Sequence, residues 1–189
     1  GKTEIYAHLI EEVLNKGKQV LYLLPEIALT TQITERLAGL FGDRLIVYHS
    51  KFSDNERVEI WNRLLTDDGP LLILGVRSSL FLPFAHLGLI IVDEEHEPSF
   101  KQQDPAPRYH ARDTAIVLAA SHGAKTLLGS ATPSIESYFN ARTGKYGLVE
   151  LKGRYGNARM PEIRIVDMKD LRRKRIIKDS NFSPLLVES

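Results

Sequence analysis

Leu89-Ile90-Ile91-Val92-Asp93-Glu94-Glu95-His96 is the stretch that decides the fold. Four consecutive apolar residues leave no polar face. As a strand they must be covered on both sides, which is the condition of a parallel sheet lying between layers of helix. Three carboxylates follow at once. Acidic groups at the carboxyl end of a buried strand are costly unless they hold a cation, move a proton or cap the next helix. Outward in both directions the pattern repeats. Apolar runs occur at 20–24, 45–48, 71–74 and 126–128, and amphipathic stretches lie around 29–40, 58–65 and 111–120. Ile5, Leu9, Ile10, Val13 and Leu14 share one face of a first helix that Gly17 ends. This alternation predicts an α/β fold, a three-layer domain with a mainly parallel central sheet, whose ligands bind beyond the carboxyl ends of the strands.

The bulk numbers agree with one packed domain. The chain has 189 residues, 43% hydrophobic and 26% charged, and a net charge of +1 from 25 basic and 24 acidic residues. That balance neither requires nor excludes nucleic acid, because binding needs a local basic surface. The absence of cysteine excludes disulfides and thiolate metal sites and fits a cytoplasmic setting. No apolar run is long enough to cross a bilayer, so no membrane partner is expected. Six histidines without ligand spacing give no zinc site. The start at Gly1-Lys2-Thr3-Glu4 and the end near Ser183-Pro184 read as cuts in something longer.

Three constellations carry chemistry. Gly1-Lys2-Thr3, opening the first helix, is the last part of G-x-x-x-x-G-K-[ST], the phosphate-binding loop. Helix-end amides attract phosphate, Lys2 reaches the β- and γ-phosphates, and the Thr3 hydroxyl ligates Mg²⁺. Alone, the tripeptide is weak. Asp93 is placed to hold Mg²⁺ and Glu94 to orient an attacking water. Gly129-Ser130-Ala131-Thr132-Pro133-Ser134 follows the strand at 126–128. Its hydroxyls either bond a carboxylate on the neighbouring strand and report its state, or simply start a helix.

In this order the three resemble Walker A, a DEAH-like Walker B and motif III of superfamily 2 helicases. Further segments resemble the replication-restart helicases among them: Pro25-Glu26-Ile27-Ala28-Leu29-Thr30 as motif Ia, Gly75-Val76-Arg77-Ser78-Ser79-Leu80-Phe81 as motif Ib, and His49-Ser50. Phe100-Lys101-Gln102-Gln103, leading to Pro107-Arg108-Tyr109-His110-Ala111-Arg112-Asp113, is similar to their aromatic-rich loop after Walker B. The resemblance implies a RecA-like P-loop NTPase lobe over 1–151, with a linker and the start of a second lobe over 152–189. It implies ATP and Mg²⁺ as cofactors, with zinc only in parts outside this chain. Forked and single-stranded DNA, primosome proteins and single-stranded DNA-binding protein are the implied partners. Unwinding would run 3′ to 5′ at stalled forks, and one lobe alone should hydrolyse ATP poorly. Gly1, Lys2, Thr3, Asp93 and Glu94 would serve ATP. Arg77, Ser78, His96, Phe100, Lys101, Arg108, Tyr109, Arg112, Ser130 and Thr132 would contact DNA or couple it to hydrolysis.

Several of these residues have a second reading. Phe100 and Tyr109 either present flat faces to bases or anchor a long loop, and Lys101, Arg108 and Arg112 offer charge to phosphates. Arg112 could instead pair with Asp113 or a nearby Glu, and Arg77 could grip phosphate or a local carboxylate. Glu26 and Thr30 are explained almost as well by capping a helix from Ala28 onward. Trp61, with Ile60 and Leu64, fits a core face. Residues 163–166 could form another strand, and the basic run at 172–175 reads as a solvated linker more readily than a DNA contact. Two rivals remain: another superfamily 2 DNA translocase of repair or restriction, and a non-catalytic fork-binding or primosome-docking module.

Overall fold

The computed structural model describes residues 1–49, 51–67, 69–151, 163–177 and 180–187. The chain divides into two compact units, Gly1–Glu150 and Leu151–Ser189. In the first unit α1 (Lys2–Asn15), β1 (Gln19–Leu23), α2 (Thr31–Phe41), β2 (Leu45–Tyr48) and α3 (Asp54–Thr66) lead to β3 (Leu72–Gly75). Then follow β4 (Leu87–Asp93), α4 (Ala111–Ser121), β5 (Lys125–Gly129) and α5 (Ile135–Arg142). Every apolar run of the sequence is a strand, with ends displaced by at most two residues. Gly17 lies just past α1 at φ +74°, a conformation that side-chain-bearing residues rarely adopt.

All five strands are parallel, in the order β2-β3-β1-β4-β5. Successive residues alternate between two cores, which explains why the runs carry no polar face. Leu21, Leu23, Ile73, Ile90 and Val92 pack with Leu64 of α3 and Ala111, Ala115 and Ala119 of α4. Val20, Tyr22, Leu72, Leu74 and Ile91 pack with Tyr6, Ile10 and Leu14 of α1 and Leu37 of α2. The fold is therefore the three-layer α/β arrangement with a parallel central sheet. From β1 the chain first builds one side (β2, β3) and then the other (β4, β5), so the direction of winding reverses between β1 and β4. Ligand crevices form at the carboxyl ends of strands at such a switch. Asp93 is the last residue of β4, at that place.

Some local expectations fail. Trp61 is 43% exposed, and Val58 and Leu65 on the same helix are exposed too, whereas Leu64 is fully buried and Ile60 packs against the core. The inward stripe of α3 is the i, i+4 pair Ile60 and Leu64, and Trp61 lies one step round the helix from it. A capping box between Ser53 and Glu56 fixes where that helix begins.

In the second unit residues 163–166 form no strand: no partner strand is present among the described residues, and Ile165 is 94% exposed. The basic run lies in and just after a short helix, α6 (Met168–Arg173), capped by Asp167, where Arg173 and Lys174 pair with Asp170 at 2.7 and 2.6 Å. A last short helix, α7 (Pro184–Val187), follows the Ser183-Pro184 start. Ser50, the Gly- and Arg-rich stretch 152–161 and Lys178 lie outside the described residues.

Leu64→Ala should cost about 2–5 kcal/mol of unfolding free energy, while Trp61→Ala should cost about 0.5 kcal/mol or less. Urea denaturation followed by circular dichroism checks the pair. Equal losses would put Trp61 back in the core.

Candidate active site

The three carboxylates that leave β4 have different sets of partners, with Lys2 shared between Asp93 and Glu94. Asp93, buried, receives the Tyr6 hydroxyl at Oδ1 (3.1 Å) and the Tyr22 hydroxyl at Oδ2 (3.2 Å), one from α1 and one from β1. The two phenol rings meet edge to face at 5.7 Å. Burial, and then the Asp93 charge, push both phenols above the ordinary range, so they stay neutral donors. Neither tyrosine carried a functional signal in the sequence: Tyr22 sits in the apolar run 20–24 and reads as core, and Tyr6 is one residue of the first helix. A Cβ on Gly129 would fall on the Tyr6 hydroxyl and come within 3.3 Å of Asp93 Oδ1. Glycine at the head of Gly129-Ser130-Ala131-Thr132 is what lets the hydroxyl reach the carboxylate.

Glu94 turns out of the strand at φ +50°, left-handed backbone that costs a non-glycine residue about 1–3 kcal/mol. Lys2 Nζ lies 2.6 Å from its Oε1 and 3.4 Å from Asp93 Oδ1. Burial works against the lysine charge, but the hydrogen bond to Glu94 and the nearby carboxylates outweigh it and hold Lys2 above the usual lysine range. Gly1, Lys2 and Thr3 thus stand at the opening of α1, with Lys2 reaching the acidic strand end.

Ser130 and Thr132 do not bond a carboxylate. They meet His96: Ser130 Oγ lies 2.7 Å from Nδ1 and Thr132 Oγ1 3.4 Å from Nε2, while Glu94 Oε2 is 3.6 Å from Nδ1. The carboxylate that does receive serine hydroxyls is Glu95, which the sequence left without a role. It is 1% exposed, and its oxygens accept from the Ser134 amide (2.7 Å), Ser134 Oγ (3.0 Å), Ser137 Oγ (2.8 Å) and Arg112 Nη1 (3.2 Å). Burial alone would raise its pKa; the hydrogen bonds from Ser134 and Ser137, with Arg112, lower it instead. Arg112 also donates to Ser134 Oγ (2.7 Å) and Asp113 (2.8 Å). It is committed to neighbours rather than offered to phosphate.

The segment after β4 is pinned at its base. Arg77 Nη1 donates to the carbonyls of Ser99 (3.1 Å) and Lys101 (3.4 Å), neither phosphate grip nor carboxylate pair. Phe100, 1% exposed within the core, has no face free for a base; it anchors the loop because the backbone on either side is tied to Arg77. Lys101 bridges to His110 in antiparallel fashion and its Nζ donates to the Arg108 carbonyl (3.3 Å). The half-buried Tyr109 stands edge to face on Phe81 at 5.0 Å. Phe81, 54% exposed, is an aromatic surface that the sequence reading passed over. Arg108 is exposed, and Ser78 lies half-buried in the 3₁₀ turn Arg77–Phe81.

Of the motif Ia residues, Glu26 lies in a 3₁₀ turn, Glu26–Ala28, and Thr30 stands before α2 without a side-chain cap bond. His49 accepts from the Lys51 amide (3.2 Å), and its ring stacks at 3.9 Å on Phe52. Among the described residues no His, Cys, Asp and Glu cluster suits a protein-only metal site. The set does fit a metal shared with a phosphate ligand. Asp93 and Thr3 are hard oxygen donors, and a cation, the Lys2 ammonium, already lies between Asp93 and Glu94.

Gly129→Ala should cost about 1–3 kcal/mol by overpacking against Tyr6. Tyr6→Phe should cost about 0.5–1.5 kcal/mol for its hydrogen bond. Because both act on one hydroxyl, the double substitution should cost less than the sum. Denaturation of the three proteins checks this, and strict additivity would separate Gly129 from Tyr6.

Comparison with known proteins supplies the family. The chain is 48% identical over its whole length to the Replication restart protein PriA of Rickettsia felis, covering 28% of that protein. It is 47% identical over 170 residues to that of Bacillus subtilis, covering 90% of this chain and 21% of the relative. The chain thus spans about a quarter of the length of the curated relatives it matches. Among solved structures, the C-terminal part of the Fun30 ATPase domain aligns with 72% of this chain and 47% of its own, at 13% identity and a TM-score of 0.47. Residues 1–140, which hold every side chain of the strand-end cluster, match the DEAD/DEAH box helicase model, and the chain belongs to that family.

Proposed function

We propose that this chain is the first motor lobe of an ATP-dependent DNA helicase of replication restart, one that unwinds 3′ to 5′ at stalled forks. The observation that carries the reading is the strand-end cluster in which Lys2 reaches Glu94 and Asp93 while His96 contacts Ser130 and Thr132. The names of the relatives support the replication-restart class. Residues 152–189 would be the linker and the start of a second lobe. Forked and single-stranded DNA, primosome proteins and single-stranded DNA-binding protein are the proposed partners.

In this reading Lys2 exchanges its carboxylate partners for the phosphates of ATP. Glu94 is then released to orient the attacking water, already turned away from the strand by its left-handed backbone. Asp93, held by Tyr6 and Tyr22, and Thr3 would hold Mg²⁺, which neutralises phosphate charge when bound. His96 would carry the state of Glu94 to Ser130 and Thr132. Tyr109 with Phe81, and the exposed Arg108, form the side that would meet DNA; aromatic stacking suits bases of any sequence.

In the intact natural chain that contains these residues, Glu94→Gln should lower DNA-stimulated ATP hydrolysis by about 10²–10⁴-fold. Binding of a fluorescent nucleotide should stay close to wild type. Retained turnover would remove Glu94 from its role. Lys2→Ala should abolish nucleotide binding, and if fork binding and assembly function survived that change intact, a non-catalytic docking module would be the better reading.

A further inference from the structure

Glu95 holds both ends of the segment that contacts His96. Its amide donates to the Gly129 carbonyl at 3.1 Å, just beyond the last β4–β5 rung, while its carboxylate takes the Ser134 amide at 2.7 Å. Residues 130–133 are closed into a loop between those two attachments. Ser130 and Thr132 lie within it, and the Ser130 hydroxyl further accepts the Thr132 amide at 2.9 Å. The carboxylate is buried, and a buried charge persists only when every lone pair is answered. Four donors answer it: the amide and hydroxyl of Ser134, the Ser137 hydroxyl and Arg112. Ser134 in turn caps α5 by accepting the Ser137 amide (3.3 Å), and Arg112 belongs to the first turn of α4.

A carboxylate needed only for solubility would face water, and one needed only to cap α5 would not need a backbone tie to β5. Glu95 is buried, holds the start of α5 through Ser134 and is tied to β5 through its amide, while being the next residue after Glu94. Glutamine at this position would keep the shape but replace an acceptor-only group with one that must present a donor to Arg112 or to a serine. We propose that Glu95 is a positioning residue for ATP hydrolysis: clamped by Arg112, Ser134 and Ser137, it fixes the Ser130–Thr132 segment and His96 relative to Glu94. This rests on the motor reading above and adds to it a buried residue whose four carboxylate donors are all groups of the chain itself.

The test uses the intact natural chain, with DNA-stimulated ATPase kinetics and amide hydrogen exchange measured on the same preparations. Glu95→Gln should lower kcat between about tenfold and about a hundredfold while KM for ATP stays within about twofold, the signature of a misplaced group rather than lost binding. Exchange at residues 129–134 should speed up, with α1 and β1 unchanged. Ser137→Ala, which removes one of the four donors without leaving a buried charge unpaired, should give a smaller fall in kcat of the same kind. It decides the matter if Glu95→Gln does not fold. A kcat within twofold of wild type in folded Glu95→Gln, or in Ser137→Ala when that is the variant available, would overturn the proposal. So would a fall in kcat matched by an equal loss of nucleotide-binding sites. Absence of hydrolysis by the wild type would instead sink the motor reading. Unchanged exchange at 129–134 in Glu95→Gln would then overturn the clamp on its own.

Discussion

Three adjacent carboxylates leave the end of a fully buried strand, and much of the molecule is arranged around making that tolerable. Desolvating one such group without compensation costs several kcal/mol, so three in a row at one strand end demand several partners. Asp93 is answered by two neutral hydroxyls and shares the Lys2 ammonium with Glu94, and Glu95 is answered by a guanidinium and serine donors. The partners come from α1, β1, α4 and the start of α5. Those elements are thereby fixed on the same strand end, in addition to their apolar packing. The left-handed turn at Glu94 separates the three side chains into three directions. In an unbroken strand Asp93 and Glu95 would lie on one face, competing for the same donors.

The layered fold was legible because parallel strands covered on both faces leave a mark that survives in one dimension: unbroken apolar runs with helical periodicity between them. The ends of elements and the flanks of helices were less so. Trp61 lies one residue from the true stripe of α3, and periodicity over thirteen residues does not separate the stripe from its edge. Residues 163–166 have strand composition but no partner strand among the described residues, and pairing is not written in a segment's own sequence.

Within the site, the groups set in strand-to-helix turns were legible, since Asp93, Glu94, His96, Ser130 and Thr132 stand where the chemistry of such sheets is placed. Glu95, Tyr6 and Tyr22 were not. Glu95 finds Ser134 and Ser137 across 39 and 42 residues, and Tyr6 finds Asp93 across 87. Such contacts follow from the strand order, which local patterns do not reveal. Phe100 and Arg112 stayed open between two readings for a related reason, and the structure takes the loop anchor for the one and the acidic partners for the other. An aromatic and an arginine near a loop suggest exposed groups for bases and phosphates, and only the tie of Arg77 to the loop backbone puts the Phe100 ring inside. The better exposed aromatic, Phe81, lies at the end of a different segment and meets Tyr109 only in the folded chain.

Arginine has been used here chiefly as mortar. Arg77 binds two carbonyls and Arg112 a buried carboxylate, both tasks that suit a planar group with several fixed donors and that lysine performs poorly. Of the cationic groups near the loop, Arg108 is left exposed, and the chain as a whole is close to neutral. Arg108 is thus the fully exposed cation that this loop would offer to DNA in the proposed motor. For the proposed motor, which would have to release and regrip a strand in each cycle, few phosphate contacts would be an advantage. Each phosphate neutralised by a side chain adds a salt-dependent increment of binding that must be given up again at every step. Stacking on Phe81 and Tyr109, with contacts from backbone amides at strand ends, would hold a strand with less of that penalty. Its grip would then depend on the position of the loop, and the loop's position depends on Arg77, Phe100 and, through Arg112, on the clamp beside Glu94.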